Sequence, residues 1–250
     1  MGDYESLVTA AAEVPLHGWD FGWLSGRAVG AEPSWHYAEL ACKMLVDADR
    51  VLDIDTGGGE LLAALGPPAG RTWAAEGWPP NVPVARERLA PLGVTVVATE
   101  ELPFPDGEFS VVLNRHGRFD AAGLARVLAA GGTLLTQQVG SEDCSGVNEA
   151  LDAPVTAKRW NLDVATEALT AAGLDVVDAV EEFPVLAFHD VGALVYQLRM
   201  VPWQVPDFTV DRYDPALRRL HARIESDGPF EVRTHRFLVR AVLPRAGGSS

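Results

Sequence analysis

Apolar and polar positions along the chain fall into two alternating periods. Short apolar or β-branched runs predict strands at 51–54, 71–75, 93–98, 110–113, 133–139 and 174–180, and a last strand at Arg236–Leu243. The run Val94-Thr95-Val96-Val97 reads as a fully buried strand. Between these runs, apolar residues recur at helical spacing. Trp35, Ala38, Ala41, Met44 and Leu45 mark a helix over 34–46 with Ser34 as its cap, and Cys42 is read as a small core residue on it. Leu61, Leu62 and Leu65 mark a second helix, stopped by Gly66-Pro67-Pro68. A third runs from Val82 to Leu89 with Arg86 and Arg88 outward. Leu124, Val127 and Leu128 follow Asp120 and are closed by Gly131-Gly132. Leu162, Ala165 and Leu169 follow Asn161 and are closed by Gly173. Further helices are expected near 10–12, from Asp190 to Met200, and over 214–225. Strands alternating with helices predict an α/β layering with a parallel sheet.

The most informative stretch is Val51-Leu52-Asp53-Ile54-Asp55-Thr56-Gly57-Gly58-Gly59-Glu60. A buried strand runs straight into a glycine turn and then a helix, the opening of a nucleotide-binding unit. Glycine is required where backbone approaches a ligand closely or takes unusual dihedrals. The next predicted strand ends in Glu76. A carboxylate about 20 residues on is where a ribose diol is held by paired hydrogen bonds. Glu60 opens the helix, and an acid there opposes phosphate, so the seat suits a positively charged ligand without phosphate.

These residues resemble motif I of the class I S-adenosylmethionine-dependent methyltransferases, Asp/Glu-x-Gly-x-Gly-x-Gly. The likeness continues through Glu76 with Ala85-Arg86. It also covers Leu102-Pro103-Phe104-Pro105-Asp106-Gly107-Glu108-Phe109, and Leu124–Leu128 followed by Gly131–Leu135, which are similar to the type 11-like subgroup. The resemblance implies a Rossmann-like, mostly parallel seven-stranded sheet flanked by helices. It implies one methyltransferase domain over 1–250: an N-terminal lid at 1–33, a cofactor-binding core at 34–183, an acceptor-side insertion at 184–230, a last strand within 231–246 and a disordered tail at 247–250. It implies S-adenosylmethionine as cofactor, no metal, and in-line transfer of a methyl group to a small-molecule acceptor. The cofactor set implied is Asp53, Asp55, Thr56, Gly57, Gly58, Gly59, Glu76, Gly77, Trp78, Thr99, Glu100, Glu101, Asn114 and Arg115, with Trp35 and Tyr37 at the amino acid end. Two positions depart from the pattern: Asp55 replaces the first glycine, and Ala98 replaces an acid that often serves adenine. They keep open a non-methylating homologue that binds the same cofactor.

Composition narrows the partners. With 20 basic and 35 acidic residues the formal charge is −15, which disfavours nucleic acid and with it an RNA methyltransferase. Two cysteines, far apart, suggest neither a disulfide framework nor zinc and fit a cytoplasmic protein. No apolar run is long enough for a membrane span, and no secretory signal is read.

Candidate substrate residues lie at three places. Trp19, Phe21 and Trp23 alternate with glycines near the start, either as a flap on the core or as a lid whose aromatic faces stabilise a sulfonium. The segment Asn114-Arg115-His116-Gly117-Arg118-Phe119 follows a strand's carboxyl end, where open α/β sheets bind ligands. His116 is the candidate general base for a hydroxyl acceptor, or an ordinary loop histidine, and Arg118 lies beside it. Gln137 and Gln138 can bond a ligand or loop backbone, while Tyr196, Trp203, Gln204 and Phe208 are acceptor-pocket candidates.

Overall fold

The structure is a computed structural model that describes residues 2–16 and 21–245. Trp19 and the 247–250 tail lie outside the described residues. In chain order the elements are α1 (Tyr4–Glu13), β1 (Ala28–Gly30), α2 (Tyr37–Leu45), β2 (Val51–Ile54), α3 (Glu60–Ala64), β3 (Thr72–Glu76), α4 (Asn81–Leu89), β4 (Val94–Ala98), β5 (Phe109–Arg115), α5 (Ala121–Val127), β6 (Leu128–Val139), α6 (Ser145–Ala150), α7 (Leu162–Ala171), β7 (Asp175–Glu182), β8 (Val185–Phe188), α8 (Val191–Met200), α9 (Val210–Asp227), β9 (Phe230–Arg233) and β10 (Arg236–Val242). No helix among the described residues is long and apolar enough to cross a membrane.

The chain divides into two compact units. One comprises 34–140, 160–181 and 236–250; the other comprises 1–33, 141–159 and 182–235. The segments expected as a lid (1–33) and as an insertion (184–230) thus belong to the same unit, together with 141–159.

The larger unit is built on a seven-stranded sheet of order β4-β3-β2-β5-β6-β10-β7. Strands β4, β3, β2, β5 and β6 are parallel, and β10 runs antiparallel to β6 from Arg236 opposite Val139 to Val242 opposite Thr133. The central strands carry apolar side chains on both faces because helices cover both. Leu52, Phe109, Val112 and Leu134 pack with Leu124, Leu169 and Phe237 on one face, and Val51, Leu113 and Leu135 pack with Tyr37, Ala41 and Leu45 of α2 on the other. Phe109 is fully buried, edge-on to Trp73 and Phe104.

Three local expectations are corrected. Strand β4 is an edge strand, so only Val94 is buried and Ala98 is exposed. Helix α2 begins at Tyr37 with His36, not Ser34, at its N-cap position; its buried face is Tyr37, Ala41 and Leu45, which turns Cys42 outward. Helix α5 ends at Val127, and Gly131-Gly132 lie inside β6. A Cβ on Gly132 would stand 3.0 Å from the Phe109 carbonyl, at the register shift where β6 passes β5. Arg88 is exposed, as expected, and also reaches back to the glycine turn, as described below.

The smaller unit holds a three-stranded antiparallel sheet, β1-β8-β9, against α1, α6, α8 and α9. Helix α8 is buried nearly all round, from Val191 to Met200. Helix α9 starts a turn earlier than expected, capped by Thr209, and tolerates Pro215 because Tyr213, Ala216, Leu217, Leu220 and Ile224 bury one face.

Phe109→Ala should destabilise the larger unit by about 3–5 kcal/mol, the cost of a large aromatic cavity. Urea unfolding followed by circular dichroism measures it, and a loss under 1 kcal/mol would show that the two sheet faces do not depend on this ring.

Candidate functional site

Strand β2 delivers Asp53 and Asp55 to the carboxyl end of the sheet, and the chain then turns through Thr56-Gly57-Gly58-Gly59 into α3. The turn needs left-handed backbone at three positions: Asp55 at φ 52°, Gly57 at 64° and Gly59 at 78°. A Cβ on Gly59 would overlap Leu89 of α4 at 2.8 Å, so this glycine allows helix packing. A Cβ on Gly57 would meet nothing within 4 Å, so this glycine faces open space. Aspartate tolerates left-handed backbone better than most residues, at a cost of about 1 kcal/mol, so Asp55 keeps the turn while adding a carboxylate.

Glu76 stands at the tip of β3 and is only 4% exposed. One oxygen accepts from the Gly57 N–H and the other from the Trp78 N–H, both at 2.7 Å. A carboxylate offers about four acceptor positions, so two remain for a diol. Arg88 donates to the Gly58 carbonyl and to Glu60. Its guanidinium therefore offsets the Glu60 charge that the sequence reading took to repel phosphate, and the negative character of the seat comes from Asp53, Asp55 and Glu76 instead. Burial, with added repulsion from Asp55 and Glu76, pushes the Asp53 carboxyl up to about 7.

Asp55 is held by the loop after β5. Its Oδ2 accepts from the Arg118 backbone N–H at 2.6 Å, and its Oδ1 from Arg118 Nη2 at 2.8 Å. Asn114, fully buried, shapes this loop: its amide donates to the Arg118 carbonyl, and its oxygen accepts from the Gly117 N–H and from Gln138. Gln138 is itself buried and also donates to Thr136, so it supports the loop from within the sheet.

His116 sits at φ 61°, its N–H donating to the Gln137 carbonyl. Its Nε2 lies 2.9 Å from the Gln137 side-chain nitrogen, while the Gln137 side-chain oxygen accepts from the Trp35 indole. With the amide so oriented, His116 Nε2 is the acceptor of that bond. Desolvation of the ring, then the charges of Arg115 and Arg236, push the imidazole down to about 3. His116 is nevertheless an exposed residue, so solvent moderates the drop, although these causes all act in one direction. The titration near neutrality expected of a general base is not what this environment favours. Trp35 and Gln137 form a link that residue spacing does not reveal, because it joins a residue before α2 to a strand tip about 100 positions on.

Tyr37 is 6% exposed and its hydroxyl has no hydrogen-bond partner; the Thr56 hydroxyl has none either. Burial, then the Asp53 charge, hold the Tyr37 phenol well above its usual range. Two buried, unsatisfied hydroxyls at the glycine turn are polar groups that a ligand would satisfy.

Beyond Glu76 a cavity of about 490 Å³ is lined by Glu76, Gly77, Pro79, Val82, Pro83, Arg86, Ala98, Thr99 and Glu100. Trp78 is about half exposed beside it in the chain. Thr99 Oγ1 donates to the Glu101 carbonyl and accepts its N–H, closing the loop after β4. Sequence reasoning missed Val82 and Arg86 as lining residues. Their position in the first two turns of the helix after the Glu76 loop is the signal that could have found them.

The expected acceptor residues fall in the smaller unit. Trp23 stacks on Tyr196 with ring centroids 5.0 Å apart, and Arg27 lies over Trp23 at 4.3 Å. Tyr196 is buried in that unit's core. Gln204 donates to the Cys144 carbonyl, Phe208 stacks on Tyr213, and Trp203 is 60% exposed. Trp23 and Tyr196 are thus brought together, while Trp203 stands on the surface.

Residues 52–136 match the type 11 family model described as "Methyltransferase domain". No curated protein matches the sequence. Among solved structures, the YcgJ protein of Bacillus subtilis is 22% identical with a TM-score of 0.60, over 85% of this chain and 99% of that one. Phosphoethanolamine N-methyltransferase 2 of Haemonchus contortus, in complex with phosphomonomethylethanolamine and S-adenosylhomocysteine, is 19% identical with a TM-score of 0.51, over 84% and 53%. The [4+2]-cyclase SpnF is 17% identical with a TM-score of 0.52, over 97% and 93%. The fold is the one these solved structures share, and the match to the methyltransferase domain model covers residues 52–136.

The Asp53 carboxyl titrates near 7 in the fold against an ordinary value of 3.8. Because the value is raised, its contribution to stability is complete below about pH 4 and is lost as pH rises through 7. Asp53→Asn should therefore stabilise the unliganded protein by about 1–3 kcal/mol at pH 8 and leave it unchanged at pH 4. Urea denaturation at the two pH values tests this; equal effects at both would place the cause elsewhere.

Proposed function

We propose that this chain is a cytoplasmic enzyme that transfers a methyl group from S-adenosylmethionine to a small molecule. The observation that carries the reading is Glu76, a buried carboxylate tied to the glycine turn with acceptor positions left over, beside two orphaned hydroxyls and a cavity that it lines. When bound, the cofactor supplies an electrophilic methyl group on a sulfonium. Glu76 would take the ribose hydroxyls. Tyr37, Thr56 and Asp53 would face the amino acid end. Trp78, with Thr99 and Glu100 at the end of the cavity, would cover adenine, with backbone groups there standing in for the acid that Ala98 replaces. The carboxylates of Asp53, Asp55 and Glu76 favour a ligand that brings positive charge.

The chemistry asked of the chain is mainly positional. The acceptor's lone pair attacks the methyl carbon, and the carbon–sulfur bond breaks to leave a neutral thioether. The protein aligns the three centres and keeps water out. We assign no proton transfer to His116, whose Nε2 is engaged by Gln137. An amine or a readily ionised acceptor needs none. A small acceptor is supported by the −15 charge, which opposes a polyanionic substrate, and by the phosphomonomethylethanolamine held by the Haemonchus protein.

A second reading has one observation in its favour. The Asp55–Arg118 pair stands at the turn, and a [4+2]-cyclase shares this fold, so a homologue that holds the cofactor without methylating is the alternative.

Calorimetric titration should show binding of both S-adenosylmethionine and S-adenosylhomocysteine, and binding of neither would remove both readings. Glu76→Ala, checked for folding by its thermal melt, should weaken binding about 5-fold to 100-fold as the carboxylate–diol bonds are lost. Unchanged affinity would mean that the ribose lies elsewhere.

A further inference from the structure

We propose that Arg118 is an internal occupant of this seat: its guanidinium, carried on Asp55, bars the way between the glycine turn and the cavity, and a ligand must displace it. The inference rests on the assignment of the seat to S-adenosylmethionine.

The guanidinium lies among residues on both sides of that route. Nη2 is 2.8 Å from Asp55 Oδ1 and 3.4 Å from the Thr99 carbonyl, and Nη1 is 3.9 Å from Glu100. A Cβ on Gly77 would stand 2.7 Å from Nη2, so the group rests on bare backbone next to Glu76. Gly77, Thr99 and Glu100 all line the cavity, and Asp55 belongs to the turn. A nucleoside with its ribose on Glu76, its base in the cavity and its amino acid end at Tyr37 must cross this line. The positive charge also matches what the surrounding carboxylates select, so Arg118 holds the place of the cationic ligand.

The device is reversible by construction. The Arg118 side chain is 46% exposed, and the pair is a partly solvated one whose loss costs little. The backbone anchor is separate: the Arg118 N–H still bonds Asp55 Oδ2 at 2.6 Å when the side chain leaves. The turn therefore keeps its shape as the bar lifts. Arg88 does not have this role, because its pair with Glu60 and Gly58 braces the turn from α4.

The sign of one mutation decides the matter. Titrated with S-adenosylhomocysteine, Arg118→Ala should bind about 3-fold to 10-fold more tightly than the unaltered protein. Weaker or equal binding would overturn the proposal and make Arg118 a contact or a bystander. Binding by neither protein would overturn the assignment of the seat itself, and the inference with it. Should the variant fail to fold, the salt dependence of the unaltered protein decides. S-adenosylhomocysteine carries no net charge, so screening the Asp55–Arg118 pair between about 20 and 300 mM NaCl should tighten its binding. Flat or weakening affinity across that series would overturn the proposal.

Discussion

Three carboxylates meet at the carboxyl ends of two neighbouring parallel strands, where water is scarce. Like charges so placed repel, and each must be neutralised, hydrogen-bonded or protonated. The chain uses a different answer for each. Glu76 is held by two backbone N–H groups, Asp55 by a guanidinium and a third N–H, and Asp53 by a raised affinity for protons. The turn, the helix after it and the loop after β5 are shaped by these three solutions. The same concentration of negative charge gives the seat its preference for a cation.

Much of this was legible in the residues because it is local. The strand–turn–helix run, the acid at the next strand's tip and the loop after the fourth parallel strand each follow from short-range pattern. What was not legible depends on partners distant in sequence. Nothing in Val94–Ala98 says that the strand has a neighbour on one side only. Cys42 and Ala41 look alike by hydropathy, and only the direction of the sheet beneath α2 separates them. Arg88 reads as a solvated helix residue until α4 is placed against the glycine turn. Gln137 reads as an amide for a ligand or for loop backbone until Trp35 and His116 are seen at its two ends.

The smaller unit was the least readable part for the same reason. Its sheet takes one strand from near residue 29, one from near 186 and one from near 231, and none of them is long enough to announce itself. By sequence Trp23 belongs to a flap or lid and Tyr196 to an acceptor pocket, two separate places. Their stacking is a tertiary fact, fixed by a helix that is buried nearly all round.

The placement of β10 between β6 and β7 has a consequence for biosynthesis. During translation the strand that joins them leaves the ribosome after the other six strands of this sheet. Until it arrives, β6 presents an unsatisfied ladder along an apolar edge, and β7 has no neighbour to dock on. The nascent larger unit therefore passes through a period of exposed sheet edge, the state most open to mispairing with another chain and to capture by chaperones.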